Sequence, residues 1–375
     1  MKKSAFKIHS WLALFALIPL LVISLTGSIL VYKQEIDEWL MPDKAMLSGV
    51  SGERLDLDAF LDRIHEQLPE FEVATIEMFF DGVESDRVYV IKKGTFDFHK
   101  VYANPYTGEV LSEPVGLHSY LTDWLLELHY TFLVGDAGLL IAAFFSLILI
   151  TLGVTGLIMY SNFYKHFFTF RTGRALAVLF SDVHKFIGIL ASPVLLILGI
   201  TGAYWNIAGY LHETSEEHAS HADFVLTERM YNHSLSLQSL IEKATDTVDG
   251  LAPTYVSLAY EPDENIRVFG SVPTGNPLYS QYSSGASFDP QTGDMITSWD
   301  IRELGFVSKL LDSFRELHFG TFGGELSKFL WCVLGAAPLL LSVTGVYMWS
   351  NRRNKRKSSK KRRAEMHNSS IAVNG

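Results

Sequence analysis

Only one of the 375 residues, Cys332, is cysteine. That excludes an internal disulfide, a Cys-x-x-Cys-His covalent haem attachment and a cysteine-held iron–sulfur cluster. A Gly-x-Gly-x-x-Gly nucleotide loop is also missing. The largest absence is of charge: residues 8–32, 137–160, 186–211 and 329–351 contain no Asp, Glu, Lys or Arg. A helix of about 20 apolar residues crosses the roughly 30 Å hydrocarbon layer, so four membrane spans are expected. With 48% hydrophobic residues and a mean hydropathy of +0.17, a soluble enzyme is a poor reading. Spans without ionisable groups also give a transporter little to line a polar path.

The charge that is present is divided unequally. Lys2, Lys3 and Lys7 precede the first span, Lys165, Arg171, Arg174 and Lys185 lie between the second and third, and nine basic residues crowd 352–363. The intervening segments carry 15 basic and 39 acidic residues, a net −24 against +14 on the other side. Positive residues mark the cytoplasmic face, so both termini are expected there. The first apolar run is longer than a signal-peptide core and lacks a small-residue cleavage site, so it is expected to remain as a span. The tail NRRNKRKSSKKRR fits anionic lipid beside a membrane better than nucleic acid, and no nucleic-acid partner is expected.

Two segments outside the spans are long enough to fold. In 33–118, Leu57, Phe60, Ile64 and Leu68 have helical spacing, and VATIEMFF, DRVYVIKK and DFHKVYANP are strand-sized. In 212–315, SLSLQSLIEKATDTV resembles a helix, followed by PTYVSLAY, NIRVFGSV and PLYSQYSSGASFDP. Each segment has a turn signal, Asn104-Pro105-Tyr106-Thr107-Gly108 in one and Asp289-Pro290-Gln291-Thr292-Gly293 in the other. The expected fold is four transmembrane helices with two small α+β modules. Its divisions are 1–32 (cytoplasmic terminus and first span), 33–118 (first outer module), 119–160 (outer lead-in and second span), 161–185 (cytoplasmic connection), 186–211 (third span), 212–315 (second outer module), 316–351 (outer lead-in and fourth span) and 352–375 (basic tail).

The spans repeat as well. His9 and His184 each precede a Thr-Gly pair, Thr26-Gly27 and Thr201-Gly202, by 17 residues to the threonine. His129 and His318, each within Glu-Leu-His, precede Thr155-Gly156 and Thr344-Gly345 by 26. Four coordinated matches indicate an internal duplication. They place His9 and His184 at the cytoplasmic face and His129 and His318 at the outer face. Neutral imidazole is a good axial iron ligand, and without usable cysteines two noncovalent haems, each between two histidines, are the economical cofactor. Treating each helix as continuous, about 27 Å separates His9 from Gly27 and about 40 Å separates His129 from Gly156. Gly27 and Gly202 would then flank the outer haem, and Gly156 and Gly345 the inner one. The competing readings are interfacial histidines with glycines for close helix packing, or a protonatable relay.

Other histidines are weaker candidates. His118 and His166 lie near the boundaries and are substitute ligands if the register differs. His212, His218 and His221, with Glu213, Glu216 and Glu217, form a cluster beyond the third span that suits a metal or an ordinary solvated loop. Tyr204, Trp205, Tyr347 and Trp349 fit boundary aromatics.

NPYTGEV and DPQTGDM resemble the turn of PepSY domains, while KIHSW, the two ELH motifs, DVHKFIGIL and the repeated Thr-Gly resemble the PepSY-associated transmembrane family. The resemblance covers nearly the whole chain. It implies a bacterial inner-membrane, di-haem reductase of siderophore-bound iron, with two b-type haems, His9 and His184 ligating the inner one and His129 and His318 the outer one. Some relatives carry a fused flavin reductase region. This chain has about 25 residues after the fourth span, so a separate cytoplasmic reductase or membrane quinol is the expected donor. The resemblance leaves open another periplasmic acceptor, or a non-enzymatic PepSY sensor or protease-regulating anchor.

Overall fold

A computed structural model describes residues 2–49, 52–162, 170–171, 175–215 and 224–373, with side chains as far as 363. Three helical segments are long and apolar enough to cross a membrane: Asp136–Met159, Leu176–Glu213 and Thr321–Arg363. A fourth exists if Lys2–Phe15 (α1) and Leu17–Leu30 (α2), bent by 72° at Ala16, form one span. Pro19 lacks the N–H that would bond within the preceding turn, which favours a break there. Ala16, fully buried, packs with Leu20 and Ile148 inside the bend.

The chain continues through Lys33–Leu40 (α3), Pro42–Ala45 (α4) and Leu57–Gln67 (α5), then strands Phe71–Glu77 (β1), Asp86–Lys92 (β2), Phe98–Ala103 (β3) and Val115–Gly116 (β4). Leu121–Thr131 (α6), Asp136–Met159 (α7) and Leu176–Glu213 (α8) follow. The second half supplies Leu237–Thr247 (α9) and strands Ala252–Ser257 (β5), Ile266–Ser271 (β6), Ser284–Phe288 (β7) and Met295–Trp299 (β8). Phe306–Phe319 (α10), Gly324–Gly335 (α11) and Ala337–Val373 (α12) complete it.

The two outer modules join into one eight-stranded sheet, β4-β3-β2-β1-β5-β6-β7-β8. Its centre is the antiparallel pair β1 and β5, with Ile76 opposite Val256. A four-stranded module leaves β1 with an unpaired edge, and β5 of the second module covers it. Helices α5 and α9 lie on one face, where Phe60, Ile64, Ile76, Val88, Val101, Leu240, Val256, Ile266 and Phe288 form a single core. The helices also join end to end: Asp58 accepts from the Leu237 amide at 2.7 Å, and Gln238 accepts from the Leu57 amide at 3.1 Å. The repeated turns match closely. Asn104 accepts from the Tyr106 amide and Asp289 from the Gln291 amide, and Gly108 and Gly293 have φ of 71° and 73°. That left-handed conformation favours glycine.

Buried ion pairs link this sheet to helices α3 and α6. On α3, Lys33 reaches Asp37 at 2.7 Å and Asp123 of α6 at 2.8 Å. Lys100 of β3 also pairs with Asp123, and Thr122 donates to Asp37. Asp37, Lys100, Thr122 and Asp123 are all buried. Burial alone raises the Asp123 pKa, but Lys33 and Lys100 outweigh it and hold the carboxyl below its ordinary value. A group with a depressed folded pKa contributes stability at neutral pH that is lost as the pH falls into the acid range. Asp123→Ala leaves Lys100 buried without its partner, and a loss of about 3–5 kcal/mol is expected. Thermal unfolding of purified variants checks this: the gap between wild type and Asp123→Ala is expected to narrow as pH falls below about 3.9, the ordinary aspartate value.

Candidate functional site: two opposed histidine pairs

The structure brings the four motif histidines together as two pairs. His9 of α1 faces His184 of α8, with ring centres 6.4 Å apart and planes crossed at 79°. His129 of α6 faces His318 of α10 at 6.3 Å and 68°. Among the described residues, neither pair is joined by a direct hydrogen bond.

Each ring is held from behind by the threonine of a Thr-Gly motif. His9 Nδ1 lies 3.0 Å from Thr155 Oγ1, His184 Nδ1 2.8 Å from Thr344 Oγ1, His129 Nδ1 3.1 Å from Thr26 Oγ1 and His318 Nδ1 2.6 Å from Thr201 Oγ1. The direction of these bonds follows from the helices. Each threonine hydroxyl donates to the carbonyl four residues earlier, Thr151, Leu340, Val22 or Ile197, at 2.7–2.8 Å. With its hydrogen committed, the oxygen accepts from the imidazole, so Nδ1 carries the proton. His129 Nδ1 also lies 3.0 Å from the carbonyl of Ile23, which can only accept. In all four rings Nε2 is therefore the bare nitrogen, and an outer partner on Nδ1 fixes the tautomer in the way metal-bound histidines require.

The glycines admit the rings. A side-chain carbon on Gly27 would meet His129 Cε1 at 2.7 Å; on Gly202, Gly345 and Gly156 the distances to His318, His184 and His9 are 3.5, 3.6 and 3.7 Å. Each glycine thus borders the histidine of the face on which the sequence places it. The contact is with the imidazole itself, and at Gly27 even alanine is too large.

The backbone departs from the continuous helices assumed in the length arithmetic. Phe132, Leu133 and Gly135 have positive φ and separate α6 from α7. Gly320 and Gly324 similarly separate α10 from α11. The 40 Å rise from His129 to Gly156 therefore does not apply. His129 and His318 sit instead on short helices leading into the spans.

The remaining sequence candidates lie apart from the pairs. His118 is exposed, 3.7 Å from Glu127, and His212 closes the last turn of α8. His166, His218 and His221, with Glu216 and Glu217, lie outside the described residues. Trp205, expected only as a boundary aromatic, packs 5.1 Å from the His318 ring, while Tyr204 meets Phe314. The threonines were visible as repeat markers, but their hydrogen bonds appear only when helices from different parts of the chain meet.

Two imidazoles bound through Nε2 to opposite sides of one metal, each at about 2 Å, have ring centres about 6.2 Å apart once roughly 1.1 Å from nitrogen to ring centre is added twice. Both pairs have that spacing. No group of three or more His, Cys, Asp or Glu side chains suited to a metal ion occurs among the described residues. Each pair can thus supply only two imidazole donors, and any further donors would have to come with the bound group. A haem would bring such donors itself, and the residues present fit it.

Burial pushes His129 down to about 4 and, with the neighbouring His129 charge adding to it, His318 down to about 3. Their ordinary value is about 6.5, so the stability their neutral forms contribute is lost as pH falls from there toward the folded values. Histidine nitrogen NMR of the metal-free protein is expected to show both rings neutral, with Nδ1 protonated, between pH 8 and pH 5. Protonated rings at pH 6 would contradict the packing described.

Among curated proteins, an uncharacterized protein of Pseudomonas aeruginosa is 24% identical over 255 residues, covering 62% of this chain and 64% of the relative. The alignment therefore spans less than two thirds of that relative. The PepSY-associated TM region matches residues 6–352. With nearly the whole described fold inside that match, the chain belongs to the PepSY-associated transmembrane family.

Proposed function

We propose that this protein carries electrons across a bacterial inner membrane and reduces ferric iron in a siderophore or other chelate on the periplasmic side. His9 and His184 hold a cytoplasmic-side b-type haem, and His129 and His318 hold a periplasmic-side one. When bound, the haems supply one-electron transfer, which protein side chains alone do not provide. The supporting observation is the opposed imidazole pair, found twice, with bare Nε2 atoms and ring spacing suited to a shared iron.

The chain's residues orient and protect this chemistry. Thr155, Thr344, Thr26 and Thr201 set the tautomers, and the adjacent glycines allow close approach. The charge asymmetry supports cytoplasmic termini and an outer sheet. A cytoplasmic reductase or membrane quinol is the proposed donor. Reduction weakens the hold of hard oxygen chelators on iron, so the product is released without a nucleophile from the protein.

A second reading is a non-enzymatic PepSY sensor or protease-regulating anchor, supported by the family match and the large outer sheet. It assigns the histidines no cofactor. A different periplasmic acceptor would retain the haems. Absorption spectra with dithionite and haem quantification separate the readings, with two b-type equivalents expected. His9→Ala or His184→Ala is expected to remove one equivalent, and His129→Ala or His318→Ala the other. Gly27→Ala is expected to disturb the outer spectrum more than Gly156→Ala disturbs the inner one, because the contacts are 2.7 and 3.7 Å. A protein purified from haem-sufficient cells without haem would sink the electron-transfer reading.

The acceptor is tested by mixing prereduced protein with chemically distinct ferric chelates and trapping Fe(II). Faster haem reoxidation than in an iron-free control is expected. No acceleration by any chelate would favour another acceptor.

A further inference from the structure

Arg315 lies three residues before His318 on α10, one helical turn away on the same side. Its guanidinium carbon is 4.7 Å from the Tyr282 ring centre and 4.9 Å from that of Phe319. Phe319 in turn packs 5.9 Å from His318 and 5.8 Å from Trp205. This places a cation in an aromatic setting beside the outer histidine pair.

The nearby carboxylates are occupied elsewhere. Asp312 accepts from the Ser280 amide and hydroxyl at 2.8 and 2.6 Å, Glu316 accepts from Thr321, and Glu77 takes Arg87 and the Tyr282 hydroxyl. Among the described residues, Arg315 has neither an ion-pair partner nor a hydrogen-bond acceptor. The position three residues before His129 is Leu126, so the duplication places this charge at only one of the two outer histidines. A planar five-donor fork on aromatic faces is suited to bidentate carboxylate recognition.

We infer that Arg315 is the anion-holding residue of the outer histidine site and takes a carboxylate beside His318. This rests on the proposed haem function. The carboxylate comes either from an acid side chain of the haem or from an anionic ferric chelate. In both cases Arg315 acts as a binding and positioning residue, and His129 and His318 remain the iron ligands.

The test compares wild type, Arg315→Gln and Arg315→Lys in detergent, each with its haem content, spectroelectrochemical potentials and reoxidation by anionic and neutral ferric chelates. If the haem supplies the carboxylate, loss of the cation disfavours addition of an electron. The outer potential is then expected to fall in Arg315→Gln by the equivalent of about tenfold in the reduction equilibrium, about 59 mV for one electron, and to recover largely in Arg315→Lys. If the chelate supplies it, the potentials stay in place while KM rises about tenfold for anionic chelates only. A purely structural clamp between Arg315 and Tyr282 moves neither quantity and overturns the inference. Wild-type protein without haem overturns the underlying function as well; wild type with two haems and an unaltered Arg315→Gln overturns the arginine assignment alone. Should Arg315→Gln misfold, Arg315→Met, which keeps an aliphatic stem against Tyr282 and removes the charge, takes its place with the same expected shifts.

Discussion

The threonine-to-histidine hydrogen bond fixes the chemistry of both candidate sites. A membrane helix cannot leave a hydroxyl proton idle, and each of the four threonines gives its proton to the backbone one turn earlier. This makes the hydroxyl an acceptor toward the ring and fixes the proton on Nδ1. The tautomer is thus set by an ordinary property of threonine in a helix. Glycine immediately after the threonine lets the ring approach, so the two-residue motif acts as a seat for one imidazole.

The seats require the outer domain to hold its helices in place. Asp123 lies on α6 six residues before His129, and Asp312 lies on α10 six residues before His318. Asp123 is tied by Lys33 and Lys100 to α3 and β3, while Asp312 is tied to the Ser280 segment ahead of β7. Both outer histidines are therefore carried by short helices anchored to the same sheet. The chemistry of the anchors differs: one is a buried ionic network and the other a neutral hydroxyl and amide. The two helices hold corresponding positions while different forces secure them.

Much of this was legible in the sequence because it has local signals. Uncharged runs marked three helices long and apolar enough to span a membrane and a bent fourth, the Asn/Asp-Pro-x-Thr-Gly turns recur with matching hydrogen bonds, and the His to Thr-Gly intervals picked out the histidines that meet as pairs. Leu57–Gln67 and Leu237–Thr247 formed as helices where their apolar spacing placed them. The joining of the modules through β1 and β5 was not legible, because edge pairing depends on contacts about 180 residues apart. Nor were the left-handed residues Phe132 and Leu133, which carry no glycine signal. The threonines illustrate the same limit: their spacing was evident, but a side-chain partner 103 to 160 residues away belongs to tertiary structure.

The separation of the two pairs depends chiefly on α8. This helix carries His184 of the inner pair and Thr201-Gly202, the seat for His318, at the outer one. Seventeen residues of continuous helix separate His184 from Thr201, about 26 Å of rise. Elsewhere the chain bends by 72° between α1 and α2 and breaks between α6 and α7 and between α10 and α11. Pro193 lies within α8 yet leaves the helix assigned from Leu176 to Glu213. Continuous helix in α8 thus sets the distance between the sites, while His129 and His318 come from the short helices α6 and α10. Because α8 carries a histidine of one pair and the threonine seat of the other, its length fixes how far apart the two pairs lie even though their surroundings differ chemically.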